Sequence, residues 1–117
     1  MHIELRKSGD VIIVDLKGKL SAGLGDQILR DTIDELLGEN WKKILLNLSQ
    51  VSFMDSAGLG ELVAGLKTAR NFGATLKILN QSARVQQSLY ITRLLPVFDI
   101  HEDERAALES FDNSGGY

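Results

Sequence analysis

Apolar positions near the N-terminus alternate with polar ones, and a second apolar-rich stretch follows. Ile3 and Leu5 belong to the first stretch, and the second extends from Val11 to Leu16. The polar segment between them contains Gly9, which suits the positive φ of a tight turn. The pattern therefore predicts an N-terminal β-hairpin.

Farther along, the pattern switches between helical spacing and short apolar runs. Helical spacing predicts one helix capped by Gly38 and another that ends at Gly73. Their predicted inner faces carry Leu29, Ile33, Leu36 and Leu37 in the first helix and Leu59, Leu62, Val63, Leu66 and Ala69 in the second. Apolar runs at 43–48 and 75–79 predict strands on either side of the second helix. Two strands joined through a helix by short loops form a βαβ unit, in which the strands are parallel.

The last third of the chain continues this alternation. The sequence predicts a further helix at 83–89, a loop at 91–96, an edge strand at 97–100 and a last helix opened by the acidic residues 102–104. We therefore predict an α/β fold in which a mixed sheet, built from the hairpin and the parallel strands, packs with about four α-helices. Residues 1–112 are expected to form one domain, and residues 113–117 a disordered tail.

Composition narrows the class of protein. The chain has 117 residues, a formal net charge of −3 and no cysteine. It carries no basic cluster, so we expect no nucleic-acid partner, and the absence of cysteine excludes disulfides and thiolate chemistry. The alternating N-terminus does not resemble a signal peptide, and no long apolar segment is present, so we expect a cytoplasmic protein with no membrane span.

The segment 52–60 follows the apolar run at 43–48 and opens the second helix. Asp55 and Ser56 supply side-chain oxygens of the kind that cap a helix N-terminus, while Gly58 and Gly60 keep its first turn bare. This layout presents a hydroxyl to solvent at a helix start. Such a position tolerates a phosphate, because free N–H groups and the helix dipole favour anions there. Ser56 is thus either a simple capping residue or a modification site.

The face of the second helix opposite its apolar stripe is also unusual. On a helical wheel it carries small and nearly uncharged residues, namely Ala57, Glu61, Ala64, Gly65 and Thr68. An exposed helix normally fills such positions with long polar side chains. The pattern favours close approach by another protein, by a loop of the chain itself, or by a second copy in a homodimer.

Catalytic and cofactor patterns are weak. The two histidines are His2 and His101, and no G-x-S-x-G elbow surrounds Ser56. The pairs Gly58-Leu59-Gly60 and Gly23-Leu24-Gly25 begin a dinucleotide fingerprint but lack its third small residue. We therefore predict a protein that is not an enzyme, with no metal and no cofactor, and we keep nucleotide binding as an alternative.

These residues resemble a known family, the anti-sigma factor antagonists, which are single-domain STAS proteins. The resemblance extends over nearly the whole chain, and its most specific segment is Phe53-Met54-Asp55-Ser56-Ala57-Gly58-Leu59-Gly60, similar to the family motif D-[ST]-x-G-L-G. Weaker support comes from Gly18-Lys19-Leu20 and from the segment 91–98.

The resemblance implies a partner-switching mechanism. In this family the serine that matches Ser56 is phosphorylated by an anti-sigma factor that is also a serine kinase of GHKL type. The unmodified antagonist binds that kinase, the phosphorylated form releases it, and a PP2C-type phosphatase resets the cycle. The resemblance further implies that Asp55 shapes the loop and that the segment around Ser21 lies beside it.

The D-[ST]-x-G-L-G motif, the small-residue face of the second helix and the family resemblance together predict the partner-binding residues. These are Ser21, Asp55, Ser56, Ala57, Gly58, Leu59, Glu61, Ala64, Gly65 and Thr68. Two features depart from the family pattern. Ser21 replaces the acidic residue of G-E-L-D, and Ala57 replaces a common serine or threonine, which confines modification to Ser56. The alternatives to the switch are an unphosphorylated STAS scaffold in a transport or signalling complex and the nucleotide-binding domain. The chain is expected to be a monomer or a homodimer.

Overall fold

The computed structural model describes residues 1–80 and 97–114, with side chains up to residue 112. Its elements are β1 (His2–Ser8), β2 (Val11–Leu20), α1 (Gly25–Gly38), β3 (Lys43–Met54), α2 (Ser56–Asn71), β4 (Thr75–Leu79), β5 (Ile100–His101) and α3 (Glu104–Ser114). The strands form one five-stranded sheet in the order β1-β2-β3-β4-β5. β1 pairs with β2 antiparallel, and every later pair is parallel. This confirms the predicted mixed sheet.

The central strands are apolar on both faces because both faces are covered. On one face, alternate residues of β2 and β3 such as Val14 and Leu46 pack against the apolar stripes of α1 and α2. On the other, Ile13 and Leu45 pack under α3, where Phe111 is fully buried. A sheet with helices on both faces accounts for these near-continuous apolar runs.

Several element boundaries differ from the predicted ones. β3 continues to Met54, so residues 52–54 are strand rather than loop. The short edge strand pairs at Ile100–His101, so it begins three residues later and ends one residue later than predicted. Gly38 is still helical, and the residue with a left-handed backbone after α1 is Asn40 (φ 71°). Local propensity identifies these elements, whereas pairing with a neighbouring strand determines where a strand ends.

The described ranges contain three helices. The predicted helix at 83–89 and the loop at 91–96 lie outside these ranges. Asp103 caps α3, because its carboxylate accepts a hydrogen bond from the N–H of Ala106 at 2.9 Å. α3 includes residues 113 and 114, which the sequence had assigned to the tail, while 115–117 are outside the described part. No helix in the described ranges is long and apolar enough to cross a membrane.

Candidate functional site

The site lies at the carboxyl ends of β2 and β3, where α2 begins. A single residue, Asp55, separates Met54 at the end of β3 from Ser56 at the start of α2. Asp55 has an extended backbone, and its Oδ1 accepts a hydrogen bond from the N–H of Gly58 at 2.9 Å. This is the N-cap arrangement, which binds one of the free N–H groups of the first helical turn.

The second carboxylate oxygen of Asp55 binds a different segment. Oδ2 accepts a hydrogen bond from the main-chain N–H of Ala22 at 3.0 Å, and the loop is closed by a 3.1 Å bond from Asp26 N–H to the carbonyl of Ser21. The N–H groups of Ala22 and Gly58 stabilise the charged carboxylate and lower the pKa of Asp55. The loop around Ser21 therefore lies beside the start of α2, as the resemblance implied.

Two glycines bring both helix N-termini against the end of β2. A Cβ at Gly58 would lie 2.0 Å from the carbonyl oxygen of Leu20, and a Cβ at Gly25 would lie 2.4 Å from that of Lys19. Because these contacts are with backbone atoms, a side chain cannot rotate away to make room. The glycines thus fix the starts of α1 and α2 on the same two residues of β2.

Ser56 occupies the first position of α2 and is exposed. Of the two residues predicted to cap the helix, Asp55 alone makes the capping bond. The Ser56 hydroxyl makes no hydrogen bond to another described residue, so it is accessible at the positive end of the helix dipole.

The outer face of α2 differs from the predicted one. Glu61 is 8% exposed and Gly65 is also buried, so the prediction that these two residues face outward is wrong. A Cβ at Gly65 would lie 2.6 Å from Cδ1 of Ile33, which places Gly65 against α1. A helical wheel built on one apolar stripe missed this second contact, because α2 packs on a helix as well as on the sheet.

Glu61 is buried because it has a partner on α1. Arg30 donates from Nε to Glu61 Oε1 at 3.0 Å and from Nη2 to Oε2 at 2.8 Å, and this bidentate pair raises the pKa of Arg30. Gly58 and Leu59 are buried too. Among the predicted contact residues of α2, Ser56 and Ala64 are exposed, and Ala57 and Thr68 are half-buried.

Sequence reasoning missed part of the exposed surface. Leu24 is 65% exposed in the loop before α1, and Phe53 is 47% exposed near the end of β3. Phe53 belongs to an open groove of about 520 Å³, which is lined by Lys19, Ser21, Ala22, Ser52, Phe53 and Asp55. An apolar residue at the end of a strand is usually interpreted as part of the core, so the sequence pattern did not indicate that Phe53 is exposed.

His101 does not lie near Ser56. It pairs with Leu79, which is level with Asn47, well before the end of β3. Its Nε2 lies 2.9 Å from Oδ1 of Asp99, whose other oxygen lies 3.0 Å from the buried Nζ of Lys77. Asp99 and His101 therefore lie with Lys77 at the edge of the sheet, away from the site.

Comparison with known proteins agrees with this architecture. Residues 2–107 match the family model of the STAS domain. The chain is 25% identical over 112 residues to the anti-sigma F factor antagonist of Paenibacillus polymyxa, covering 96% of each chain. It is 29% identical over 100 residues to the anti-sigma-B factor antagonist of Bacillus subtilis, covering 86% of this chain and 90% of the relative.

A solved structure supports membership of the same family. The crystal structure of a Thermotoga maritima protein, provisionally named an anti-sigma factor antagonist, superposes with a TM-score of 0.84 at 26% identity over 92% of each chain. The chain belongs to the STAS domain family.

Proposed function

We propose that this protein is an anti-sigma factor antagonist that acts by partner switching. In its unmodified form it binds an anti-sigma serine kinase of GHKL type through the surface around Ser56. Phosphorylation of Ser56 releases the kinase, and a PP2C-type phosphatase restores the binding form. The observation that carries the proposal is the exposed hydroxyl of Ser56 on the first turn of α2, beside a loop that Asp55 fixes.

The position of Ser56 suits a switch that leaves the fold intact. A phosphate adds nearly two negative charges, and at the start of α2 the free N–H groups and the helix dipole offset them. A partner docked over Ser56 would have to bury the same charge, which costs several kcal/mol unless it is paired. Modification therefore weakens binding far more than it weakens folding.

Two alternatives make different demands on the site. A STAS scaffold would use the same surface without modification of Ser56. A nucleotide-binding domain would place a nucleotide phosphate at a helix N-terminus, and the isolated chain would then bind nucleotide tightly. Gly25 and Gly58 also have a packing role against β2, which accounts for the glycine pairs without a nucleotide.

The test is incubation of the full chain with its anti-sigma kinase and ATP, followed by intact-mass analysis. We expect one added phosphate in wild type and in Ser8→Ala, and none in Ser56→Ala. Ser8→Ala is the matched control, because Ser8 pairs with Val11 at the start of β2, at the other end of the sheet from the site. Phosphate on Ser56→Ala, or no phosphate on wild type, would contradict the proposal. A scaffold would bind its partner and remain unmodified.

A further inference from the structure

The groove beside Asp55 contains one charged group that no other described residue engages. Its described lining contains two charged residues, Lys19 and Asp55. Both oxygens of Asp55 accept main-chain hydrogen bonds, so this carboxylate is engaged within the fold although it stays charged. Lys19 is exposed and forms no ion pair with another described residue. Lys19 is therefore the charged group that the groove leaves available to a partner.

Lys19 has an exposed apolar side chain, that of Phe53, as its neighbour on the adjacent strand. Lys19 and Phe53 are register partners in β2 and β3, so their side chains leave the same face of the sheet as neighbours. Leu24 is 65% exposed in the same loop as Ser21 and Ala22, which line the groove. A lysine beside exposed aromatic and aliphatic side chains complements a carboxylate that is flanked by apolar residues.

We propose that Lys19 determines which partner this protein binds, by pairing with an aspartate or glutamate side chain of the anti-sigma factor whose apolar neighbours cover Phe53. This inference rests on the proposed function and names the chemistry of the partner that the site accepts. The contact is specific because an anti-sigma factor with a cation at that position would meet Lys19 as a like charge.

Lys19 also links recognition to release. The carbonyl of Lys19 lies against Gly25 and that of Leu20 against Gly58, so the main chain at Lys19 is held in a fixed position relative to the first turn of α2. Lys19 and Asp55 line the same groove, so a partner carboxylate that binds Lys19 there lies beside the residue that precedes Ser56. Phosphorylation places two negative charges near that carboxylate, so the same partner group is attracted before modification and repelled after it.

The experiment measures binding of the purified anti-sigma factor to full-length wild type, Lys19→Glu, Lys17→Glu and Ser56→Asp by titration calorimetry at about 0.15 M salt. Lys17 is the matched control, because it is exposed on the same strand and gives the same change in net charge. We expect Lys19→Glu to weaken binding about tenfold or more and Lys17→Glu to change it less than about threefold. Replacing the partner's carboxylate by lysine should restore binding to Lys19→Glu, and carbodiimide coupling should join Lys19 to that carboxylate.

The outcomes separate this inference from the proposed function. If Lys19→Glu and Lys17→Glu bind alike while Ser56→Asp binds weakly, the inference is wrong and the switch stands. If Lys19→Glu binds weakly and Ser56→Asp binds like wild type, the charge contact stands and the switch is wrong. Failure of wild type to bind any anti-sigma factor overturns both. Self-association of the chain that Lys19→Glu abolishes would identify a second copy as the occupant and overturn the inference.

Discussion

Asp55 accepts a hydrogen bond from the main-chain N–H of Ala22 at 3.0 Å, across the boundary between the first turn of α2 and the loop that follows β2. The same carboxylate caps α2 through the N–H of Gly58. One side chain therefore sets the position of Ser56 relative to the groove. Removing the Asp55 side chain would therefore disturb both the start of α2 and the loop that follows β2.

We predict that Asp55→Ala lowers the thermal midpoint by several degrees and also weakens binding of the anti-sigma factor. The physical reason is that two main-chain N–H groups lose their acceptor and the loop loses its attachment to α2. Differential scanning calorimetry measures the first effect. Asp34→Ala, at an exposed position of α1, is the control and should leave the midpoint unchanged. Equal midpoints for the two variants would contradict the capping role of Asp55.

The stabilisation from Asp55 should depend on pH. Its pKa in the folded protein lies below its ordinary value of 3.8, so the unfolded chain takes up a proton first as the pH falls. The contribution is complete above that ordinary value and is lost as the pH falls through the lower folded pKa. The difference in unfolding free energy between wild type and Asp55→Asn should therefore be constant from pH 7 to about pH 5 and shrink below about pH 4. Urea unfolding at a series of pH values tests this, and a difference that grew on acidification would contradict it.

Gly58 and Gly60 should respond oppositely to alanine. At Gly58 the new methyl group would meet the carbonyl of Leu20, whereas at Gly60 no atom lies within 4 Å. We expect Gly58→Ala to lose about 3 kcal/mol or more of unfolding free energy, and Gly60→Ala to gain about 0.5–1 kcal/mol because alanine is the better helix former. Urea denaturation of the pair measures both. If Gly58→Ala does not fold, its absence from the soluble fraction beside a soluble Gly60→Ala gives the same answer.

Ser56→Asp should separate binding from folding. A carboxylate on the first turn of α2 is favoured by the helix dipole, and the exposed side chain of Ser56 makes no packing contact that the change would disrupt. The thermal midpoint should stay within a few degrees of wild type, while affinity for the kinase falls. Ser56→Asn, which has nearly the same shape without the charge, is the control and should bind more tightly than Ser56→Asp. A collapse of the midpoint would show that Ser56 is structural.

The pair of Arg30 and Glu61 should be coupled more strongly than an exposed pair. The Glu61 side chain is 10% exposed and that of Arg30 56%, whereas Arg105 and Glu109 on α3 are 87% and 70% exposed at 3.5 Å. Removing Arg30 leaves a nearly buried carboxylate without its partner, and solvent compensates the exposed pair. Double-mutant cycles with Arg30→Met and Glu61→Gln, and with Arg105→Met and Glu109→Gln, should give a larger coupling for the first. Equal couplings would mean that the pair does not help to hold α1 on α2.

The sequence predicted those features that depend on local patterns. The mixed sheet was predicted from the hairpin pattern, the helical periodicity and the alternation of strands with helices. The candidate site was predicted from the pair Asp55-Ser56, which precedes a glycine-rich helix start. Which side of α2 faces outward could not be predicted, because Gly65 and Glu61 are buried by α1, a contact between distant parts of the chain. The exposure of Phe53 and Leu24 was missed because it depends on which distant parts of the fold cover an apolar residue, and the local sequence does not contain that information.

The atoms that lie nearest to Gly25 and Gly58 are main-chain atoms of Lys19 and Leu20. The side chains at positions 19, 21, 22 and 24 can therefore be replaced without moving the Ser56 hydroxyl. Under the proposed function, related antagonists in one cell would keep the same phosphoacceptor geometry and differ only in this short segment. A few substitutions there would then be enough to keep each antagonist from binding the partner of another.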